Sequence, residues 1–251
     1  MVKSYQSLTR ETSKRIKLIM SDVDGTLNTG GDIVSSAVSD AMHQLQKSGI
    51  AVGLISGRTD AMLRSMANDL TIGGPLIAEN GAVARLTPRG ELMDLGYSRQ
   101  PALKGLEKLK ACYPGRIWER EDNKDRMIDL VFRADGITPE EIKSCVEDVQ
   151  VLDSTYILHM MQKGIDKGKT LKRLQGQMDG AAIRPDEVLV IGDSMTDLST
   201  FKIFPESVLV PNPNIPETDR EILRNAARYI SDYEAGEGFS EVALHIIHAR
   251  T

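Results

Sequence analysis

Three features of the chain predict an α/β fold: a Rossmann-like parallel sheet carrying a smaller inserted α/β domain. Short apolar runs of strand length alternate with stretches of helical periodicity near both ends of the sequence. That alternation breaks between 83 and 163, where charge rises and turn signals appear at Pro88, Gly90, Pro114-Gly115 and Asp135-Gly136, and then resumes. Three of the apolar runs end in a polar residue, at Asp22, Ser56 and Asp193. Open parallel sheets bind their ligands at such strand ends.

In chain order, 16–20 is a short apolar run and the first core strand. The segment 35–48 places Ala37, Ala41 and Leu45 at helical spacing, and Gly49 closes it as a residue tolerant of positive φ. A second strand spans 50–55, followed by a helix with Met62, Met66 and Leu70 on its apolar face, and a third strand spans 75–78. Inside the irregular region, 128–132 and 156–161 read as strands and 139–149 as a helix opened by Thr138. The closing part reads as helix 169–178, strand 187–191, helix 197–204, strand 207–210 and helices 216–227 and 237–248. The resulting organisation is a polar, loosely ordered tail at 1–15, a core formed by 16–82 and 164–251, and an inserted cap at 83–163.

Composition narrows the function. The chain has 251 residues, with 31 Lys+Arg against 36 Asp+Glu and a net charge of -5. Such a surface has little general attraction for phosphate backbones, and 4% aromatic content does not make a base-stacking platform. No apolar run approaches the ~18–20 residues that span a bilayer, and the opening stretch lacks the apolar centre of a secretory signal. Neither a nucleic-acid nor a membrane partner is expected. Two cysteines, Cys112 and Cys145, make no disulfide framework and read as packing residues, as does Trp118. A cytoplasmic location is expected, and the sequence leaves the oligomeric state open.

Chemistry concentrates at Asp22-Val23-Asp24-Gly25-Thr26, straight after the first strand. Residues two apart in extended chain face the same way, so Asp22 and Asp24 can serve one site while Gly25 lets the chain turn. Two neighbouring carboxylates repel unless a cation lies between them or one keeps a proton. A calcium loop would need Gly at its sixth position and Glu at its twelfth, where Leu27 and Ile33 stand. The Ser56 hydroxyl is placed to bind an anion, and Asp193 and Asp197 follow another apolar strand. Lys167 supplies a cation at a helix start, against the dipole preference, which suggests an anion shared by the ammonium and the helix N-terminus. Gly168-Lys169-Thr170 also matches the end of a nucleotide-binding phosphate loop, but Lys163 stands where its first glycine belongs.

Together Asp22-Val23-Asp24-Gly25-Thr26, Ile55-Ser56-Gly57-Arg58, Lys167-Gly168 and Gly192-Asp193-x-x-x-Asp197 resemble, in order, the four motifs of the haloacid dehalogenase superfamily. The Glu79-Asn80-Gly81 turn adds to the likeness, which spans 16–248. The insertion between the second and third motifs resembles the subgroup with an α/β cap there, and Gly192-Asp193-Ser194 through Phe201 is similar to archaeal phosphoglycolate phosphatases and sucrose-phosphatase-like members. Thr196 departs from the Asn that most such members carry before the last aspartate.

The resemblance implies an Mg²⁺-dependent phosphatase of a small phosphorylated metabolite, first 2-phosphoglycolate. In it Asp22 is the nucleophile that forms an aspartyl-phosphate, and Asp24 is the acid and base. Ser56 and Lys167 bind phosphoryl oxygens, and Mg²⁺ is held by Asp22, the Asp24 carbonyl and Asp193. Thr26, Gly57 and Asp197 are supporting groups around the phosphate. Substrate contacts are expected from Arg58, Asn80, Arg126 and His159, with Arg126 suited to a substrate carboxylate. The alternatives are a sugar-phosphate phosphatase of sucrose- or trehalose-phosphate type, a phosphomutase, and, more remotely, a nucleotide-binding module using Lys169 and Thr170.

Overall fold

A computed structural model of the chain describes residues 2–31, 33–154, 157–178 and 183–250. It opens with β1 (Lys3–Ser4), α1 (Arg10–Arg15), β2 (Leu18–Ser21), α2 (Ser36–Lys47), β3 (Ala51–Ile55), α3 (Asp60–Asp69), β4 (Leu76–Ala78) and β5 (Val83–Arg85). The middle holds α4 (Gln100–Cys112), β6 (Ile117–Glu119), β7 (Leu130–Ala134), α5 (Pro139–Cys145), β8 (Val149–Asp153) and β9 (Leu158–Gln162). The chain closes with α6 (Lys167–Gln175), β10 (Val188–Gly192), α7 (Leu198–Ile203), β11 (Glu206–Leu209), α8 (Glu217–Ala226), β12 (Tyr229–Ile230) and α9 (Ala235–Arg250).

Eight strands form the large sheet in the order β1-β12-β11-β10-β2-β3-β4-β5, parallel except for the β4–β5 pair. Burial on both faces explains why its central strands read as unbroken apolar runs. On one face Leu45 of α2, Leu63 of α3 and Phe239 and Val242 of α9 pack with Ile19 and Leu54. On the other, Leu171 and Leu174 of α6, Phe201 of α7 and Leu223 of α8 pack with Met20 and Val190. From β2 the chain runs through β3 towards one edge, while β10, β11 and β12 extend towards the other. The carboxyl ends of β2 and β10 therefore meet at a topological switch point, which is where such sheets place ligands.

The second sheet is antiparallel, in the order β6-β7-β9-β8. Its strands alternate as pleating requires. Met160, Leu130 and Phe132 pack with Leu106 of α4 and Ile142 of α5, whereas Met161 joins the core of the large sheet.

Several expectations change. The 1–15 segment is not a loose tail: β1 pairs with β12, Thr9 caps α1, and Leu8 is buried. Its polar composition concealed it because only one face is covered. Val83 does not begin the cap, since β5 is the antiparallel edge strand of the large sheet and its turn returns to place Leu95 in that sheet's core. The turn signals at Pro88 and Gly90 mark a hairpin, and the cap elements begin at Gln100. The helix expected over 139–149 stops at Cys145, because Val149 starts a strand. Of the strand expected over 156–161, Leu158 onward is found, and Tyr156 lies outside the described residues. Cys112 and Cys145 are joined by a disulfide linking the ends of α4 and α5, with Cα atoms 7.0 Å apart. Trp118 is half exposed, and Met62 lies outside the buried stripe of Leu63, Met66 and Ala67. No helix among the described residues is long and apolar enough to cross a membrane.

Candidate active site

At the switch point β2 delivers Asp22 and β10 delivers Asp193, both buried. Gly25 sits at φ +89°, and a Cβ on it would lie 2.3 Å from Asp193 Oδ2, so only glycine lets this loop pass so close to the carboxylate. Asp193 is aimed by two donors: Thr26 Oγ1 at 2.9 Å to Oδ1 and Asn212 Nδ2 at 2.6 Å to Oδ2. Carboxylate oxygens of Asp22, Asp193 and Asp197 lie within 4.8 Å of one another.

Lys167 is the first residue of α6, two residues earlier than the sequence suggested, with Asp166 capping the helix through the Lys169 N–H. Its ammonium is buried and donates to Asp22 Oδ1 at 2.6 Å, Asp197 Oδ1 at 2.7 Å and Thr196 Oγ1 at 3.0 Å. An ammonium has three protons to give, so all three are committed. A phosphoryl oxygen must take the place of one of these acceptors to bind Lys167. Thr196, at the position that departs from the family pattern, supplies one of them.

Electrostatics follow from burial. Asp22 is pushed well above the usual carboxylate range by desolvation, which the Lys167 charge opposes and Asp197 and Asp193 reinforce. Asp193 is raised to about 7 by burial and by Asp197. Burial works against the charged form of Lys167, but Asp197 and Asp22 outweigh it and hold the lysine protonated. An all-oxygen cluster in which carboxylates resist ionisation is what a hard divalent cation relieves. Asp22 and Asp193 fit that use. Asp197 fits it less well, since Oδ1 accepts from Lys167 and Oδ2 from the Asp193 and Ser194 backbone N–H groups.

A cavity of about 500 Å³ opens above these groups. Among the residues expected from the sequence, Asp22, Asp24, Ser56, Gly57, Arg58, Asn80, Arg126, His159, Lys167 and Asp193 border it. Thr26 and Asp197 stand behind it, holding Asp193 and Lys167.

Two expected substrate contacts are already engaged. Arg58 makes a fork to Asp24, with Nη2–Oδ1 at 2.7 Å and Nε–Oδ2 at 2.9 Å, and also donates to the Gly31 carbonyl. Arg126 is buried, donating from Nε and Nη2 to Asp122 and from Nη1 to Asp129 and the Gly57 carbonyl. It ties cap to core instead of presenting a free guanidinium. Thr170, the second residue of the nucleotide-binding alternative, donates its buried hydroxyl to the Gly81 carbonyl, while Lys169 is exposed beside Asp166.

Sequence reasoning missed Asn212, Asp129 and the role of Glu79. Asn212 lies just beyond β11, so the strand-end rule that found Asp193 would have found it. Glu79 is fully buried at φ +50° and accepts N–H bonds from Met127, Ile128 and Asp129 at 2.7–2.9 Å. Burial and the Asp129 charge raise it to about 7, against those three bonds.

The comparisons with known proteins agree with this arrangement. The family model for haloacid dehalogenase-like hydrolases matches residues 19–96 and 104–242. A phosphoglycolate phosphatase of Methanospirillum hungatei is 33% identical over 228 residues, covering 89% of this chain and 94% of the relative. A phosphoglycolate phosphatase of Thermoplasma volcanium is 29% identical, covering 92% and 98%. A solved Thermoplasma acidophilum structure superposes with TM-score 0.75 at 25% identity, covering 92% and 98%. The sucrose-phosphatase of Synechocystis, solved with sucrose and phosphate, shares the fold at TM-score 0.70 and 17% identity, covering 93% and 98%. With its motif carboxylates and buried lysine gathered at one sheet edge, the chain belongs to the haloacid dehalogenase-like hydrolases and is a phosphatase.

Proposed function

We propose that this phosphatase hydrolyses a small phosphorylated metabolite through an aspartyl-phosphate on Asp22, with Mg²⁺ as cofactor and 2-phosphoglycolate as substrate. The observation that carries the reading is the Asp22 carboxylate at the cavity floor, held by Lys167 and flanked by Asp193. The relatives named phosphoglycolate phosphatase over nearly their whole length support the substrate.

Asp22 and Asp193, with the Asp24 carbonyl, would hold the Mg²⁺. When bound, the ion supplies the positive charge that lets a phosphate dianion approach a carboxylate. Asp22 Oδ1 is held by Lys167, which leaves Oδ2 to attack phosphorus as the ester P–O bond breaks. Ser56 and Lys167 receive the phosphoryl oxygens as charge spreads over them. Asp24 gives a proton to the departing alkoxide and then takes one from the water that cleaves the aspartyl-phosphate. To do so it exchanges its fork with Arg58, and its half-exposed carboxylate can move. A cytoplasmic setting is part of the same proposal and rests on substrate class, since the Cys112–Cys145 disulfide removes the cysteine argument for a reducing compartment.

The test is release of inorganic phosphate over a panel of phosphorylated acids and sugars, with Mg²⁺ and with chelator, for the wild type and Asp22→Asn. Mg²⁺-dependent release is expected to be fastest with 2-phosphoglycolate, and Asp22→Asn to lose at least about 10³-fold. An active Asp22→Asn enzyme would sink the nucleophile assignment, and a sugar phosphate turned over faster would sink the substrate. Phosphoryl return to substrate on adding a bisphosphate activator would instead identify a mutase.

A further inference from the structure

An unpaired amide donor and an oriented histidine ring meet at one point of the cavity wall. Asn80 is 2% exposed, and its buried Nδ2 makes no hydrogen bond. Leaving such a group unpaired is costly, so an unpaired buried donor beside a cavity calls for something that completes it. On the cap side, His159 Nδ1 lies 2.7 Å from Asp129 Oδ2, and Asp129 Oδ1 accepts from Arg126. Burial works against Asp129 ionising, but His159 and Arg126 prevail and hold it below the ordinary carboxylate range. An ionised Asp129 accepts, so Nδ1 carries the proton and the ring orientation is set. Nε2 is then the atom left for a ligand.

Both side chains close on Gly57. A Cβ built there would lie 3.1 Å from Asn80 Nδ2 and 3.1 Å from His159 Cε1. Gly57 directly follows Ser56, the hydroxyl assigned to the phosphoryl group, so the two groups stand one residue from the phosphate position. Arg126 fixes this geometry across the domain boundary by donating to both the Gly57 carbonyl and Asp129.

We infer that Asn80 and His159 form a subsite for a carboxylate carried by the substrate next to its phosphate ester, with Asp129 and Arg126 as positioning residues. This rests on the phosphatase reading of the same cavity. A carboxylate offers two acceptor oxygens, one for the Asn80 amide and one for His159 Nε2, the acid carrying in the proton that this bond needs. A hydroxyl would instead accept from Asn80 and donate to Nε2, so the acid and its hydroxymethyl analogue are the pair that tells the two ligand classes apart.

The test uses calorimetric titration with Mg²⁺ present, in the Asp22→Asn background so that ligand is not consumed. The ligands are 2-phosphoglycolate and 2-hydroxyethyl phosphate, which has a hydroxymethyl group in place of the carboxylate. Asn80→Asp keeps a residue that tolerates the φ of +56° and turns the donor into a repelling acceptor. It is expected to shift the ratio of the two Kd values at least about tenfold against the acid, as a lost charge-assisted bond does. His159→Gln, an independent change on the cap side, is expected to shift it in the same direction. A ratio that stays within a factor of about two in both variants overturns the subsite. The wild-type assay separates the two readings: discrimination in binding without turnover removes the phosphatase mechanism and keeps the subsite. Turnover of both esters at one KM, indifferent to Asn80→Asp, removes the subsite and keeps the phosphatase.

Discussion

The tip of the large sheet and the docking face of the cap both bury charge, but they neutralise it differently. At the sheet tip one lysine gives its three protons to Asp22, Asp197 and Thr196, while Asp193 is held by Thr26 and Asn212 with Gly25 pressed against it. At the cap's docking face the core carboxylate Glu79 is met by three backbone N–H groups of the cap, and Arg126, Asp129 and His159 satisfy one another. The first arrangement concentrates charge that a reaction can use. The second makes a joint between core and cap from main-chain donors on one carboxylate and from three cap side chains that hold one another.

Breaking the sheet-tip arrangement has the largest expected effect. Lys167→Met leaves Asp22 and Asp197 buried without their cation, which costs about 3–5 kcal/mol and abolishes turnover. Chemical denaturation with and without Mg²⁺ measures it, and a variant as stable as the wild type would show the lysine to be dispensable to the tip. The cap joint is expected to give a smaller, pH-dependent effect. Glu79 is raised to about 7 from an ordinary 4.5, so between those values the folded state binds more protons than the unfolded one. Stability from this group is therefore fully present below about pH 4.5 and lost as pH rises through 7, by on the order of 2–3 kcal/mol. Asp22 and Asp193 act in the same direction, so the difference between wild type and Glu79→Gln isolates Glu79. The wild type should lose stability more steeply between pH 5 and 8, and parallel curves would refute the raised value. The smallest change is expected at Lys169, whose exposed side chain pairs only with Asp166 in the described structure. Lys169→Ala should leave the denaturation midpoint unchanged and phosphate release within about twofold. A large loss there would restore the nucleotide-loop alternative.

The core motifs were legible because each is local. Asp22 and Asp24 lie on one short stretch after an apolar strand, Ser56 ends the next strand, and Lys167 opens a helix. Strand-end geometry then gathers them. The cap was less legible for the opposite reason. Glu79 meets Met127, Ile128 and Asp129 some fifty residues away, Arg126 reaches the Gly57 carbonyl, and His159 finds Asp129 on a neighbouring strand. None of these pairs leaves a spacing in the chain, and backbone acceptors leave no residue signature at all. Arg126 shows the consequence: its guanidinium suited a substrate carboxylate by residue type, and tertiary contacts spent it on Asp122, Asp129 and Gly57.

By itself the sequence determined the α/β class, the strand tips that carry the chemistry, and the family, since periodicity and short motifs are properties of neighbouring residues. Tertiary structure alone decided where the N-terminal segment and the Val83–Arg85 edge belong, which acceptors saturate Lys167, and that the buried Asn80 amide is left without a partner among the described residues. Those outcomes depend on which distant polar groups are buried together. Burial requires partners, and the chain's linear order does not say which ones are within reach.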